Sequence, residues 1–454
     1  MCMKKFLFLS ILATGFVVIV GSVKAQQSTS STDAYSLPES YYNSQNGATS
    51  SPVTAQPVPV STSTVQALPP ETPAVPVAVP VSQPVPSEPV PAPVAEDFPV
   101  AGYDGGFFLQ DKAGKFKMTI NSQLQMQVAA GFIEDNEDAY TLSVRRSSFV
   151  FSGHVIDPKL TWTVVFVPFA NAGFYGGGIY YAFADEFTIN AGYDSLEINY
   201  LYYQSSGKLD FLTPSIDTQR FNLGDSVGIW AAGTIGKFSY NAGVYNGVFN
   251  DLEVNANQEL AYGGNITYQP LEAYSGAEGD PGNTKKVALV FRLGGGFGHY
   301  EDGTQAKIIA GHVFSGFKYR GVTVLASGNY RYTDPNQFIR EQTDAGYTVQ
   351  ASYYILPGKL SFGLRHSALL DDLTDAGVNL NMNQGRLSAL KGNFAGFDLN
   401  GDSDNEFEYS AALNYDFSGF NIRLQGQYAL IDDGIPGRDD RLSHIVMLQS
   451  QLRF

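Results

Sequence analysis

Seven basic residues lie on one face of segments whose pattern predicts β-strands. They are Lys117, Arg292, Lys307, Arg331, Arg365, Arg423 and Arg453. A row of fixed cations along a narrow, water-filled passage attracts anions, because the field of fixed charges is strong in a narrow pore. Another interpretation stays open, in which these cations pair with acids such as Glu406, Glu408 and Asp416 and selectivity is set elsewhere.

Bond-making chemistry has no comparable set of residues. The histidines are scattered singly, without the spacing of a metal site or a triad partner: His154, His299, His312, His366 and His444. The acidic run at 398–406 lacks the glycine and the glutamate of a calcium-binding loop. The glycine run at 293–300 sits inside a predicted strand, where glycines are expected to let the strand bend. We therefore expect no catalysis, no metal and no cofactor.

Composition narrows the class of protein further. The formal net charge of −16 argues against nucleic acid as a partner. Cys2 is the one cysteine of the chain, so a mature form without it has no disulfide and no thiolate metal site. The body of the chain lacks a continuous apolar run long enough for a membrane-spanning helix.

The N-terminal 100 residues divide into two parts. Residues 1–25 read as a secretory signal, with Lys4 and Lys5, an apolar stretch and small residues before the expected cleavage site at Ala25. Residues 26–100 read as a low-complexity linker, rich first in Ser and Thr and then in Pro and Val. Dense proline removes backbone donors and favours polyproline II. This arm is expected in the periplasm, as a tether that contacts peptidoglycan or as a disordered segment without a ligand.

Residues 101–454 alternate apolar and polar side chains in segment after segment, which predicts two-faced strands. Sixteen such segments can be counted: 116–128, 140–154, 159–171, 178–184, 186–194, 227–235, 237–248, 259–269, 285–299, 305–317, 320–333, 341–355, 359–368, 407–417, 420–430 and 441–454. Short turns such as 156–159 and 356–359 alternate with longer, acidic connections. An even number of strands with short turns at one end is typical of a transmembrane β-barrel.

A soluble β-sandwich is the alternative, because it also needs strands with one apolar and one polar face. The polar faces here are rich in Gln, Asn, Ser and Thr, which suits a wet lumen. Closing the sheet also removes the unpaired edges that lipid does not tolerate. We therefore predict an all-β, 16-stranded antiparallel transmembrane barrel in the cell outer membrane, in contact with lipid and lipopolysaccharide.

The chain ends on Phe454, an aromatic on the lipid-facing parity of the last strand. That strand must pair with the first (116–131) to close the barrel. A terminal aromatic in this setting resembles the signal by which the barrel-assembly machinery recognises its clients. Phe454 is therefore predicted to be an assembly signal.

Three stretches resemble the phosphate-selective porin O and P family: 101–127 (AGYDGGFFLQDKAGKFKMTINSQLQMQ), 142–153 (LSVRRSSFVFSG) and 221–248 (FNLGDSVGIWAAGTIGKFSYNAGVYNGV). The resemblance covers about 102–454. It implies a homotrimeric, 16-stranded outer-membrane porin that conducts small hydrophilic solutes or ions, including anions such as phosphate. It also implies that the third long loop folds inward and narrows the pore.

The stretch that would carry the family's basic residues departs from the family pattern. It reads GYDSLEINYLYYQSSGKLDF (192–211), with more acids than bases. The candidates for the constriction are Asp194, Glu197, Lys208, Asp210 and Arg220. Phosphate selectivity is therefore open, as is a structural envelope role in which the barrel anchors the Pro-rich arm.

Overall fold

The computed structural model describes residues 100–103, 105–133, 138–168, 173–248, 259–299, 307–334, 342–371, 405–434 and 441–454. The predicted signal at 1–25 and nearly all of the predicted linker at 26–100 lie outside this part of the chain; Val100 begins the first strand. Among the described residues, no helix has the length and apolar character needed to cross a membrane.

Sixteen long strands form a closed antiparallel barrel, as the alternation predicts. They are β3 (Phe116–Ile133), β4 (Ala139–Val155), β5 (Asp157–Val167), β6 (Gly173–Ala184), β7 (Phe187–Ser195), β8 (Asp225–Ile235), β9 (Phe238–Tyr245), β10 (Ala261–Tyr268), β11 (Ala288–His299), β12 (Lys307–Tyr319), β13 (Val322–Thr333), β14 (Gln342–Leu356), β15 (Leu360–Asp371), β16 (Asn405–Asp416), β17 (Ile422–Gly434) and β18 (Arg441–Arg453). Each strand pairs with its neighbours along the chain, and β18 pairs with β3.

A short hairpin that the sequence pattern did not predict completes the seam of the barrel. Its strands, β1 (Val100–Tyr103) and β2 (Phe107–Gln110), pair with each other, and β2 also pairs with β3. β18 pairs with β3 from Ile133 to Gln123, and β2 continues the same edge from Ile120 to Lys117. Between them, the backbone of Phe454 exchanges hydrogen bonds of 2.8 and 3.1 Å with Ser122. The start and the end of the barrel therefore meet at Phe454.

The two faces of the strands meet different surroundings. Outward side chains are apolar and exposed, as at Leu293 (65%) and Leu364 (54%), whereas inward polar side chains such as Gln425 (2%) are buried. Exposed apolar side chains around a closed sheet fit a lipid solvent, and buried polar side chains such as Gln425 form hydrogen bonds with neighbouring polar groups inside the barrel. The interior is therefore partly filled by protein.

The connections differ between the two ends of the barrel. At the short-turn end, the chain reverses within a few residues, as at 185–186 and 236–237. At the long-loop end, the connections include 196–224 and 372–404; the second lies outside the described residues. One connection breaks this rule, because 269–287 is long although it joins β10 to β11 at the short-turn end. β11 accordingly begins at Ala288 rather than at 285, where the alternation places it.

Candidate functional site

The third connection at the long-loop end, 196–224, folds into the barrel; we call it L3. It contains a 3-10 turn (Ser206–Lys208) and one helical turn, α1 (Ile216–Arg220). All residues of α1 are buried although they lie between two barrel strands in sequence. L3 therefore forms the packed filling on one side of the lumen.

The beginning of L3 lies against β10 and β11, where the inner face carries glycines. A methyl group added at Gly294 would lie 2.3 Å from the carbonyl oxygen of Ile198, and one added at Gly296 would lie 2.4 Å from the Cδ1 atom of Ile198. No side chain fits between the loop backbone and this part of the wall. The glycine run of β11 thus permits close approach of L3.

An apolar cluster joins both ends of L3 to the inner wall. It consists of Leu196, Ile198, Leu223, Trp230, Tyr245, Val248, Ala261, Ile308 and Ala310. Full burial of a leucine or isoleucine side chain contributes about 1.5–3 kcal/mol to stability. Both ends of L3, at Leu196 and Leu223, are therefore fixed to the inner wall by apolar contacts.

Four of the seven predicted pore-lining cations form a row on alternate strands. Arg292 lies on β11, Arg331 on β13, Arg365 on β15 and Arg423 on β17. Each donates a hydrogen bond to a backbone carbonyl of L3: Arg292 to Glu197 (2.9 Å), Arg331 to Arg220 (3.0 Å), Arg365 to Thr213 (2.8 Å) and Arg423 to Leu209 (2.6 Å). The row therefore lies beneath the loop, and all four side chains are at most 8% exposed.

Each of these arginines also meets a carboxylate. The distances are 3.7 Å for Arg292–Glu197, 2.6 Å for Arg331–Asp344, 2.5 Å for Arg365–Glu408 and 2.7 Å for Arg423–Asp416. A buried charge is tolerated when it is both paired and hydrogen-bonded. The positive charge of the row is therefore largely neutralised where it stands, and Glu408 and Asp416 are among the partners that the sequence suggested.

The other three predicted cations lie apart from this row. Lys117 is half-buried, with Nζ 5.3 Å from the centre of the Phe108 ring. Lys307 is exposed at the start of β12 and shares the parity of the outward-facing Ile309 and Val313, so its prediction as a pore-lining cation is wrong. Arg453 is half-buried and packs over Gly207, where an added methyl group would lie 2.7 Å from its Cδ atom.

The five predicted constriction residues fall on or beside L3. Asp194 is half-buried near the end of β7, and Glu197 pairs with Arg292. Asp210 and Arg220 are buried, whereas Lys208 is exposed at the 3-10 turn. Among these five side chains, Lys208 is therefore the one most open to a passing solute.

The helical turn α1 is held by hydroxyl and amide groups, three from the wall and one from L3 itself. The Asp217 carboxylate accepts hydrogen bonds from Ser215 Oγ (2.6 Å), Ser367 Oγ (3.0 Å) and Asn329 Nδ2 (2.8 Å), and also from Thr348. Burial raises the pKa of Asp217, and these donors act in the opposite direction.

A relay of hydrogen bonds joins α1 to the beginning of L3. The Tyr200 backbone N–H donates to His312 Nε2 at 3.1 Å, which leaves Nδ1 as the donor to Asn329 Oδ1 at 2.7 Å. Asn329 in turn donates to Asp217. His312 therefore acts here as a neutral structural histidine.

Several residues of the site were not predicted from the sequence. Asp344, Asn329 and His312 lie on strands that were predicted, but their partners depend on strand register and on the path of L3. The unusual position of segment 269–287 could have been detected from the sequence, because this connection is much longer than the other turns at the same end of the barrel. Among the described residues, no group of three or more His, Cys, Asp or Glu side chains is placed to hold a metal ion.

Comparison with known proteins gives matches of fold. No protein-family model matches the chain, and no curated protein matches it. An anion-selective porin from Comamonas acidovorans matches with a TM-score of 0.51 at 11% identity, covering 74% of this chain and 99% of that chain. OmpT, an outer membrane protein of Vibrio cholerae, matches at 0.49 and 10% identity over 77% and 98%. The outer membrane channel DcaP of Acinetobacter baumannii matches at 0.47 and 12% identity over 78% and 100%.

At 11% identity, the first of these matches establishes a common architecture and leaves the solute undetermined. Membership in the phosphate-selective porin O and P family stays a prediction from the sequence. The chain has the closed, 16-stranded β-barrel fold of a porin.

Proposed function

We propose that this protein is an outer-membrane porin through which small hydrophilic solutes diffuse passively. The observation that carries the proposal is a closed barrel with an apolar outer face and a loop folded into its lumen. Sixteen strands enclose more space than side chains alone fill. L3 occupies part of that space and leaves a narrower passage beside it.

The passage runs along β4, β5, β6 and β7 in this proposal. Several inner side chains there, such as Ser148, Thr163 and Thr188, are half-buried, although Ser143 and Asn190 on the same strands are buried, as are the side chains beneath L3. The inner side chains of these strands are mostly small, uncharged and able to hydrogen-bond, which suits neutral hydrophilic solutes. Water-sized ions pass such a surface without strong discrimination.

Ion selectivity is proposed to be weak. The arginine row is covered by L3 and paired with carboxylates, so its field on the passage is reduced. Charges of both signs remain closer to the passage, with Asp194 half-buried and Lys208 exposed. The charges of Asp194 and Lys208 are of opposite sign and offset each other.

Anion conduction, including phosphate, is the second candidate, and Arg146 favours it. A bulge in β4 places this half-buried arginine opposite Gln125 on the inner face. Gln125 in turn donates a hydrogen bond to the carbonyl of Ser206, in the 3-10 turn of L3. The guanidinium group binds phosphate in a bidentate manner. Reversal potentials in a salt gradient decide between the candidates. A reversal potential near zero supports weak selectivity, and one close to the equilibrium potential of the anion supports anion conduction.

Planar-bilayer recording of the purified protein tests the main proposal. Stable conductance is expected, in steps of three if the predicted homotrimer forms. A correctly folded protein without any conductance would contradict it. Deleting 26–99 distinguishes the porin function from a structural envelope role. If the deletion leaves conductance unchanged but damages the envelope, the Pro-rich arm carries the structural role.

The associated partners remain proposals that rest on the sequence. They are outer-membrane lipid and lipopolysaccharide around the barrel, the barrel-assembly machinery at Phe454, and peptidoglycan at the Pro-rich arm, which is proposed to lie in the periplasm.

A further inference from the structure

The connection 269–287, which we call the inner segment, enters the barrel from the short-turn end. Three of its side chains are buried: Tyr274 is 8% exposed, Glu278 is 5% and Asp280 is 3%. Surface turns normally leave such groups in water. The inner segment is therefore packed inside the lumen rather than lying across the rim.

Lys318 fastens the inner segment to the wall. Its ammonium group, on the inner face of β12, donates to the carbonyl oxygens of Ser275 and Gly279 at 3.0 Å each and also to that of Ala277. The same nitrogen lies 4.5 Å from the centre of the Tyr274 ring. The residue is 1% exposed, so these carbonyls and the ring take the place of water around a buried charge.

Asp280 provides a second fixed point at the same end. Its carboxylate accepts hydrogen bonds from the backbone N–H of Gly321 at 2.9 Å and of Thr284 at 2.8 Å. The Gly321 contact belongs to the turn between β12 and β13. The segment is thus held along its length and is curled around Lys318.

The inner segment also contacts residues 208–210 of L3, which we call the tip of L3. The Glu278 backbone N–H donates to the Lys208 carbonyl at 3.1 Å, and the Asp210 N–H donates to Glu278 Oε2 at 2.7 Å. A methyl group added at Gly279 would lie 2.7 Å from Asp210 Oδ1, so the two chains touch closely. Burial and the nearby Asp210 carboxylate raise the pKa of Glu278.

Apolar contacts reinforce this polar connection. Tyr274 of the inner segment packs in one cluster with Leu201 of L3 and with Phe314 of β12. The two lumenal segments and the wall therefore form one packed unit. L3 is fastened to the barrel directly by the arginine row and indirectly through the inner segment.

We infer that the inner segment is a positioning element for L3, with Glu278 and Lys318 as its positioning residues. By holding 208–210, they keep the exposed Lys208 at a fixed place in the passage and set the width of the pore from the short-turn end. This inference rests on the proposed porin function.

The test compares Glu278→Ala, Glu278→Gln and Lys318→Met in the full barrel. Amide exchange in a peptide covering 207–213 reports whether the tip of L3 is held, and bilayer recording reports the pore. Glu278→Ala is expected to accelerate exchange about 10- to 100-fold, which corresponds to about 1.4–2.8 kcal/mol at 1.4 kcal/mol per factor of ten. Conductance should become larger and noisier, and Lys318→Met should do the same.

Glu278→Gln keeps an oxygen acceptor and should restore much of the protection. The matched control is the ion pair Lys286–Glu272 of the same segment, 3.0 Å apart with side chains 77% and 49% exposed. Lys286→Met and Glu272→Gln should leave both readouts unchanged.

Exchange and conductance equal to those of the control variants would overturn the inference. If Glu278→Ala fails to fold, Gly279→Ala replaces it, because it separates the two segments without removing a hydrogen-bonding group. A wild-type barrel without conductance would refute the porin proposal, whereas the exchange measurement would still judge the positioning role.

Discussion

The close contact between β11 and L3 predicts that Gly294→Ala displaces the loop. Gly294 lies on the inner face, and the added methyl group would lie 2.3 Å from the Ile198 carbonyl oxygen. A carbon and an oxygen normally approach no closer than about 3.2 Å, so the loop or the strand must move by roughly 1 Å. Gly295→Ala is the matched control, since its nearest neighbour would be the Ala310 carbonyl at 3.5 Å.

The size of the effect follows from the contacts beside Ile198. Overpacking a tight site costs about 1–3 kcal/mol. A shift of this size also strains the hydrogen bonds to the Glu197 carbonyl, from Asn265 at 2.8 Å and from Arg292 at 2.9 Å. We expect the local opening of L3 to become about 5- to 150-fold more frequent, at 1.4 kcal/mol per factor of ten.

Amide exchange of a peptide covering 196–201 measures this opening in the folded barrel. The Gly294→Ala variant should exchange faster, whereas the Gly295→Ala variant should match the wild type. Single-channel recording should show a changed conductance only in the first variant. If the two variants behave alike, the contact between the glycine face and L3 does not position the loop.

Three further predictions concern the arginine row, the tip of L3 and the chain terminus. Arg365→Met should lower the stability of the barrel in denaturant titration by about 3–5 kcal/mol, because it leaves the Glu408 carboxylate buried without its cation. Adding Glu408→Gln should recover part of the loss. An undiminished loss in the double variant would count against charge pairing as the cause. Lys208→Glu should raise cation over anion permeability a few-fold in reversal-potential measurements, since charges a few ångströms from an ion interact by about 1 kcal/mol in water; Lys359→Glu, at the short turn, is the control and should give a smaller shift. Deleting Phe454 should reduce the amount of heat-modifiable, folded protein in the membrane, and normal membrane levels would refute its role in assembly.

The barrel strands could be predicted because their information is local. Alternation identifies a two-faced strand from about ten residues, and the structure places all sixteen strands within a few residues of the predicted positions. The same parity correctly puts Leu452 outside and Gln451 inside. The β1–β2 hairpin escaped prediction because its strands have four residues each, too few for a clear period.

The surroundings of the lumenal charges could not be predicted in the same way. The sequence predicts an inward face for Arg331 but makes no prediction for Asp344, and it is the register of β13 with β14 that sets the two residues directly opposite each other. The partners of Arg365 depend in addition on L3, which supplies the Thr213 carbonyl from far away in the chain.

By itself, the sequence determined the sixteen long strands, most of their inward and outward faces and the place where the last long strand closes on the first, because each follows from short-range periodicity and chain order. The tertiary structure decided which charges are buried. It folds L3 over the arginine row and brings the inner segment to meet L3 from the other end. No local pattern encodes these contacts, because they join residues that lie far apart in the chain and meet only inside the closed barrel.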